Sequence, residues 1–149
     1  MYWKTQKATY SRALVADLLA ALTAAPADPL LATPKIKLFT DGPSISPDFD
    51  PADYTAPTFH GYAAAAVTLG GVVNLGGTDL GVTASVLFIA TTGGAIDDSC
   101  SGYCLVDTTQ AIGYMIERFA APISFGAVGD FLQLDLILPL PMVYTPTVA

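Results

Sequence analysis

The sequence predicts a mainly β fold: an antiparallel β-sandwich, jelly-roll-like, with an N-terminal α-helix and arm. Three observations lead there. Strand-like apolar segments recur at intervals of about ten residues. Gly, Pro and Asp cluster between them. The intervals are too short for repeated helical crossovers. The division that follows is a basic arm and helix over residues 1–33 and a sandwich body over 34–149.

In chain order, residues 1–10 form a polar-aromatic arm with Tyr2, Trp3 and Tyr10. Ser11 is a fair N-cap, and Leu14, Val15, Leu18, Leu19 and Leu22 recur at helical spacing, so a helix is expected over Ser11–Ala24. Pro26 and Pro29 end it. A basic start followed by apolar residues resembles a signal peptide, but Asp17 interrupts the apolar run, so the segment is expected as a retained helix. KIKLFT (35–40) alternates as a strand, and Asp41–Thr58 is a loop by its prolines and aspartates. FHGYAAAAVTL (59–69) reads as one long strand, with a short one near Val72–Leu75. VTASVLFIATT (82–92) is apolar nearly throughout, as for a strand covered on both faces. GYCLVD (102–107) and AIGYMIERF (111–119) follow as two strands. In FLQLDLILPL (131–140), Leu132, Leu134, Leu136 and Leu138 share one face, and PMVYTPTVA is a proline-bounded tail.

Of the 149 residues, 52% are hydrophobic and only 13% charged, against roughly 25% charged in an average soluble domain. Such a chain either spans a membrane or buries surface against other chains. The best window for a span, Leu80–Ile96, is short of the ~20 residues of a helical span and rich in Gly, Thr and β-branched residues, so subunit contact is the expectation. Charge is unevenly placed. Lys4, Lys7, Arg12, Lys35 and Lys37 face only Asp17 and Asp28 in the first 37 residues, a balance of +3; beyond them Arg118 stands against eleven acids, a balance of −10. An acidic body excludes nucleic acid as the main partner, because phosphate binding needs clustered cations. It also lets the arm, through Tyr2, Trp3, Lys4, Lys7, Tyr10 and Arg12, be read as a partner contact on an acidic face of a neighbouring copy.

Catalytic and metal motifs are sparse. Cys100, Cys104 and the single His60 fall short of a structural zinc set. Asp48, Asp50 and Asp53 lie close together in PDFDPAD, but the glycine turn and terminal glutamate of a calcium loop are absent; with Phe49 and Tyr54 they form an alternative ligand loop. A cysteine nucleophile needs a nearby base, and His60 sits in an apparent strand. There is no nucleophile elbow, P-loop or dinucleotide fingerprint. Asp97 and Asp98 are not fixed across a cleft by their spacing. Glu117 beside Arg118 reads as a sheet-face ion pair or interface contact. The expectation is a protein that is not an enzyme and needs no cofactor. If Cys100 and Cys104 shared one extended strand, their Cα atoms would lie about 13 Å apart. A disulfide needs about 4.4 to 6.8 Å, so a bridge requires a fold-back at Ser101–Gly102, and two reduced thiols are expected.

Three segments, KIKLFTDG, DYTAPTFHGYAA and GYCLVDTTQAIGYMIERFAAPISFGAVGDFLQLDLIL, occur in an order that resembles a family of small virion proteins of tailed bacteriophages. The matching residues are Leu38, Phe39 and Thr40; Asp53, Tyr54, Thr55, Phe59, Gly61 and Tyr62; Gly102, Tyr103, Val106 and Asp107; Glu117, Arg118, Phe119 and Pro122; Gly129 and Asp130. They cover roughly residues 30–140. Cys100, Cys104 and His60 depart from the family pattern. The resemblance implies a structural role on the virion, assembled in the host cytoplasm, and no catalytic residues. The expected partners are the major capsid protein or other virion proteins and further copies of the chain, a trimer by expectation, with no nucleic acid and no membrane. A capsid decoration (cement) protein is the first reading. A tail, baseplate or spike-associated receptor- or carbohydrate-binding module is the alternative, with Asp48, Phe49, Asp50, Asp53 and Tyr54 as its ligand loop.

Overall fold

A computed structural model describes residues 2–4, 9–11, 34–76 and 79–140. The protein is mainly β, with two largely antiparallel sheets. The elements are β1 (Tyr2–Lys4), β2 (Thr9–Tyr10), β3 (Lys35–Phe39), a 3-10 turn η1 (Pro51–Asp53), β4 (Ala65–Ala66), β5 (Thr68–Gly76), β6 (Asp79–Ile89), β7 (Asp98–Val106), β8 (Gly113–Phe125) and β9 (Phe131–Leu140). One sheet runs β1-β9-β6-β5 and the other β2-β8-β7-β3-β4. Every pairing is antiparallel except β1 on β9. At each lateral side one short stretch of chain serves both sheets: β1 and β2 on one side, β4 and β5 on the other.

The expected helix lies, from Arg12 onward, outside the described residues, as do Lys7 and the tail 141–149. FHGYAAAAVTL is not one strand. Phe59–Gly61 makes a turn in which Gly61 takes φ 94°, a value open to glycine, and the chain then enters β4 in one sheet and β5 in the other. The strand near Val72 extends over Thr68–Gly76, with two register shifts against β6.

Both sheets contribute to one buried cluster. Ile36, Leu38, Tyr103, Leu105, Met115 and Phe125 come from one sheet, and Val86, Phe88, Leu132, Leu134 and Leu136 from the other. Aromatic rings run across it. Phe125 stacks on Phe59 at 4.1 Å, Phe59 meets Tyr62 edge-on at 5.4 Å, and Tyr62 reaches Phe88 at 6.1 Å. The Tyr62 hydroxyl accepts from the Leu38 amide and donates to the Leu38 carbonyl. A side chain from a loop thereby occupies a site on β3.

The strand buried on both faces is β7, not β6. Over the described β6 side chains of 85–89, Val86 and Phe88 are buried while Leu87 and Ile89 are 49% and 43% exposed. Behind β7 lies a second cluster of Phe39, Phe49, Tyr54, Cys104, Val106 and Ile116. Alternation along β7 sends Tyr103 and Leu105 to the first cluster and Cys104 and Val106 to the second. The predicted loop, folded over the outer face of the five-stranded sheet, supplies Phe49 and Tyr54.

Candidate functional site

The loop Asp41–Thr58 is built as a flap with closed ends, an Ω-like arrangement. Its neck is a bridge between Asp41 and Thr55, with the Thr40 amide donating to Thr55 O and the Thr55 amide to Asp41 O. Asp50 caps η1 by accepting from the Ala52 amide at 2.8 Å. Two cations hold the flap down through its carbonyls. Lys37 Nζ donates to Pro51 O at 2.6 Å, and Arg118 donates to Gly42 O and Pro43 O at 2.8 Å each. The Arg118 guanidinium also lies 5.2 Å from the centre of the Phe39 ring, a cation–π contact. Under the flap Tyr54 packs against Phe39 at 4.9 Å and Phe49 at 6.2 Å. Gly113 gives Phe49 its seat: a methyl group there would lie 2.2 Å from the ring.

This geometry decides how the sequence-derived ligand loop is presented. Phe49 and Tyr54 are core residues. Among the described residues no group of three or more His, Cys, Asp or Glu side chains is placed to hold a metal ion. Asp48, Phe49 and Asp50 line an open hollow of about 350 Å³ together with Ser11 and the turn Ala111–Gly113.

Cys100 and Cys104 both lie in β7, both buried and both free. Even spacing should put them on one face. Instead Cys100 enters the first cluster and Cys104 the second. The ladder is irregular between them: from the pair Cys100↔Ile123 to Gly102↔Arg118, β8 uses five positions where β7 uses two. Pro122, which cannot donate to a ladder, falls in that stretch. The sheet therefore separates the thiols. Burial pushes both up to about 12; nearby Asp98 adds to this at Cys100, and Lys37 partly opposes it at Cys104. Neither is disposed to form a thiolate near neutral pH.

Glu117 and Arg118 are not an ion pair, because neighbours on a strand face opposite ways. Glu117 is buried and accepts from the Tyr103 hydroxyl at 2.6 Å, while Arg118 points out to the flap. His60 sits in the turn, exposed, with Nδ1 3.0 Å from Thr91 Oγ1 and its ring over Gly93 and Gly94. Asp98 holds the chain before that turn, accepting from the Thr58 amide and hydroxyl.

The N-terminal contact residues divide. Tyr2, Trp3 and Lys4 form β1, in register with Gln133, Leu134 and Asp135 of the same chain. Tyr10 is in β2 opposite Met115, and Lys7 and Arg12 lie outside the described residues. Sequence reasoning missed an apolar surface made by Leu87, Ile89, Val128 and Phe131. Ile89 pairs with Phe131, and the Gly129 amide donates to Ala90 O, so the four gather at one end of the four-stranded sheet. A period-two reading of Val82–Thr92 carries the signal, hidden because its outward residues are as apolar as its inward ones. Among the described residues no helix is long and apolar enough to cross a membrane.

No family model, curated protein or solved structure matches the chain.

Proposed function

We propose that this is a structural protein of a phage virion, a decoration or cement protein, trimeric, that bridges neighbouring capsid subunits. The observation that carries the reading is how the residues of the resemblance are used. They bond to one another and to the scaffold rather than gather as a reactive centre. Arg118 clamps the flap over Phe39, Tyr54 packs on Phe39, Tyr103 donates to Glu117, and Tyr62 locks onto Leu38. Asp130 fastens the β8–β9 turn by accepting from the Gly126 and Ala127 amides. Such a motif set maintains a shape.

The low charge content and the apolar end formed by Leu87, Ile89, Val128 and Phe131 support subunit contact. The two sheets are read as a jelly-roll-like sandwich on the strength of their shared cluster and the chain's repeated crossing between them. A protein that binds the assembled shell and not its free subunits stabilises the shell by mass action. Particles lacking the protein are therefore expected to rupture at lower temperature and in lower salt than complete ones. Equal resistance with and without it would overturn the reading.

A further inference from the structure

The N-terminal arm joins both sheets within ten residues. Tyr2–Lys4 add to β9 in parallel, and Thr9–Tyr10 add to β8 antiparallel, continued by the Ser11 amide donating to Tyr114 O at 2.8 Å. These pairings are short, three register pairs and two. They use backbone groups of a sheet edge, which recognise an added strand whichever copy supplies it. The register is charge-complementary as well. Lys4 stands opposite Asp135, a carboxylate kept in place by Ser85 Oγ and Gln133 Nε2, each donating at 3.0 Å. Across the whole chain the arm belongs to the +3 segment and its receptor strands to the −10 one. Residues 12–34 separate the arm from β3. A stretch of that length reaches about 70 Å extended, or about 33 Å if wholly helical, against a domain diameter of about 40 Å. Extended, the stretch exceeds one domain diameter, so the arm can meet the edge of an adjacent copy.

We propose that Tyr2–Lys4 and Thr9–Ser11 are an exchangeable clip, and that in the assembled protein they pair with β9 and β8 of a second copy. Exchange preserves every arm contact while linking two chains, which makes it a low-cost route to association. The chain's own arm acts at an effective concentration of order millimolar. Self-pairing therefore dominates in dilute solution, and exchange competes where copies are crowded, as on a shell. The proposal deepens the assembly reading above by naming the contact between copies.

The test uses full-length protein. In a Cys100→Ala, Cys104→Ala background, one chain carries Lys4→Cys and a second, differing in tag size, carries Asp135→Cys. Register partners on adjacent strands lie about 5 Å apart, within disulfide range. The two chains, mixed at high concentration and oxidised, are expected to yield a species of summed mass on a non-reducing gel, fading on dilution. The double variant Lys4→Cys, Asp135→Cys, oxidised when dilute, should close within one chain. Closure of the double variant with no mixed species at any concentration overturns the proposal, and so does failure of both. Should the cysteine-free background not fold, charge exchange in the native background decides. Lys4→Asp and Asp135→Lys chains should each lose association by light scattering, and their mixture should regain it; a mixture no better than its parts overturns the clip. Because this assay needs no particle, its failure is separable from failure of the heat test on particles.

Discussion

Tyr54 is almost completely buried, and its hydroxyl has no hydrogen-bond partner among the described residues. Burial raises its pKa above the ordinary tyrosine value, with the Arg118 charge partly opposing this. A buried hydroxyl without a partner costs roughly 1–3 kcal/mol in desolvation. Tyr54→Phe keeps the ring contacts with Phe39 and Phe49 and removes that cost. It is expected to raise unfolding stability by about 1 kcal/mol, measured as a higher urea midpoint at unchanged slope. Gly102 gives the opposite case. A methyl group there would lie 2.3 Å from Glu117 O and 2.4 Å from the Phe39 ring, and the carbonyl belongs to a paired strand that cannot yield. Gly102→Ala is expected to destabilise by about 3 kcal/mol through overpacking. A midpoint like that of the parent protein would contradict the packing described for β7.

Among elements, the flap depends on Arg118. Arg118→Ala removes two charge-assisted hydrogen bonds and the contact with Phe39. The site is exposed, so a loss of only about 1 kcal/mol is expected. The effect should be local: faster amide exchange over Asp41–Thr55, with β9 unaffected. The β7–β8 turn depends on Asp107. Burial is the largest single influence and raises its pKa, but hydrogen bonds from the Thr109 hydroxyl and from the Ile112 and Thr109 amides together outweigh it and hold the group below the usual carboxylate value. A lowered folded pKa means stability that is present above the unfolded value of about 3.9 and is lost as pH falls through the folded one. Exchange protection at Thr109 and Ile112 should therefore collapse only in strong acid, and Asp107→Asn should abolish that pH dependence.

The same elements mark what could be read in advance. β9 was legible residue for residue, because Leu132, Leu134 and Leu136 alternate with polar neighbours. β3 was legible for the same reason. The Phe59–Leu69 stretch was not, because Ala has no strong preference and the deciding element is the turn at Gly61. The double burial of β7 was hidden as well, since its second cover comes from a loop whose prolines and aspartates look solvated. In the candidate site, Asp48, Asp50 and Asp53 were legible as one loop. The inward turn of Phe49 depends on Gly113, distant in sequence, and that of Tyr54 on Gly42 within the loop.

At the scale of the whole molecule, two buried thiols with folded values of about 12 contribute to a loss of stability in alkali. The unfolded chain ionises them near 9, so their contribution is fully present below that pH and falls away from 9 toward 12. The thermal unfolding temperature should thus decline across that window, less so in the Cys100→Ala, Cys104→Ala protein. The larger claim concerns assembly: an apolar end, an acidic body and an arm that pairs with sheet edges suit a subunit used many times over one surface. The number of copies per purified particle, counted by quantitative mass spectrometry against the major capsid protein, tests it most directly. Hundreds of copies is the predicted result; a dozen or fewer would place the protein on a tail and contradict the account.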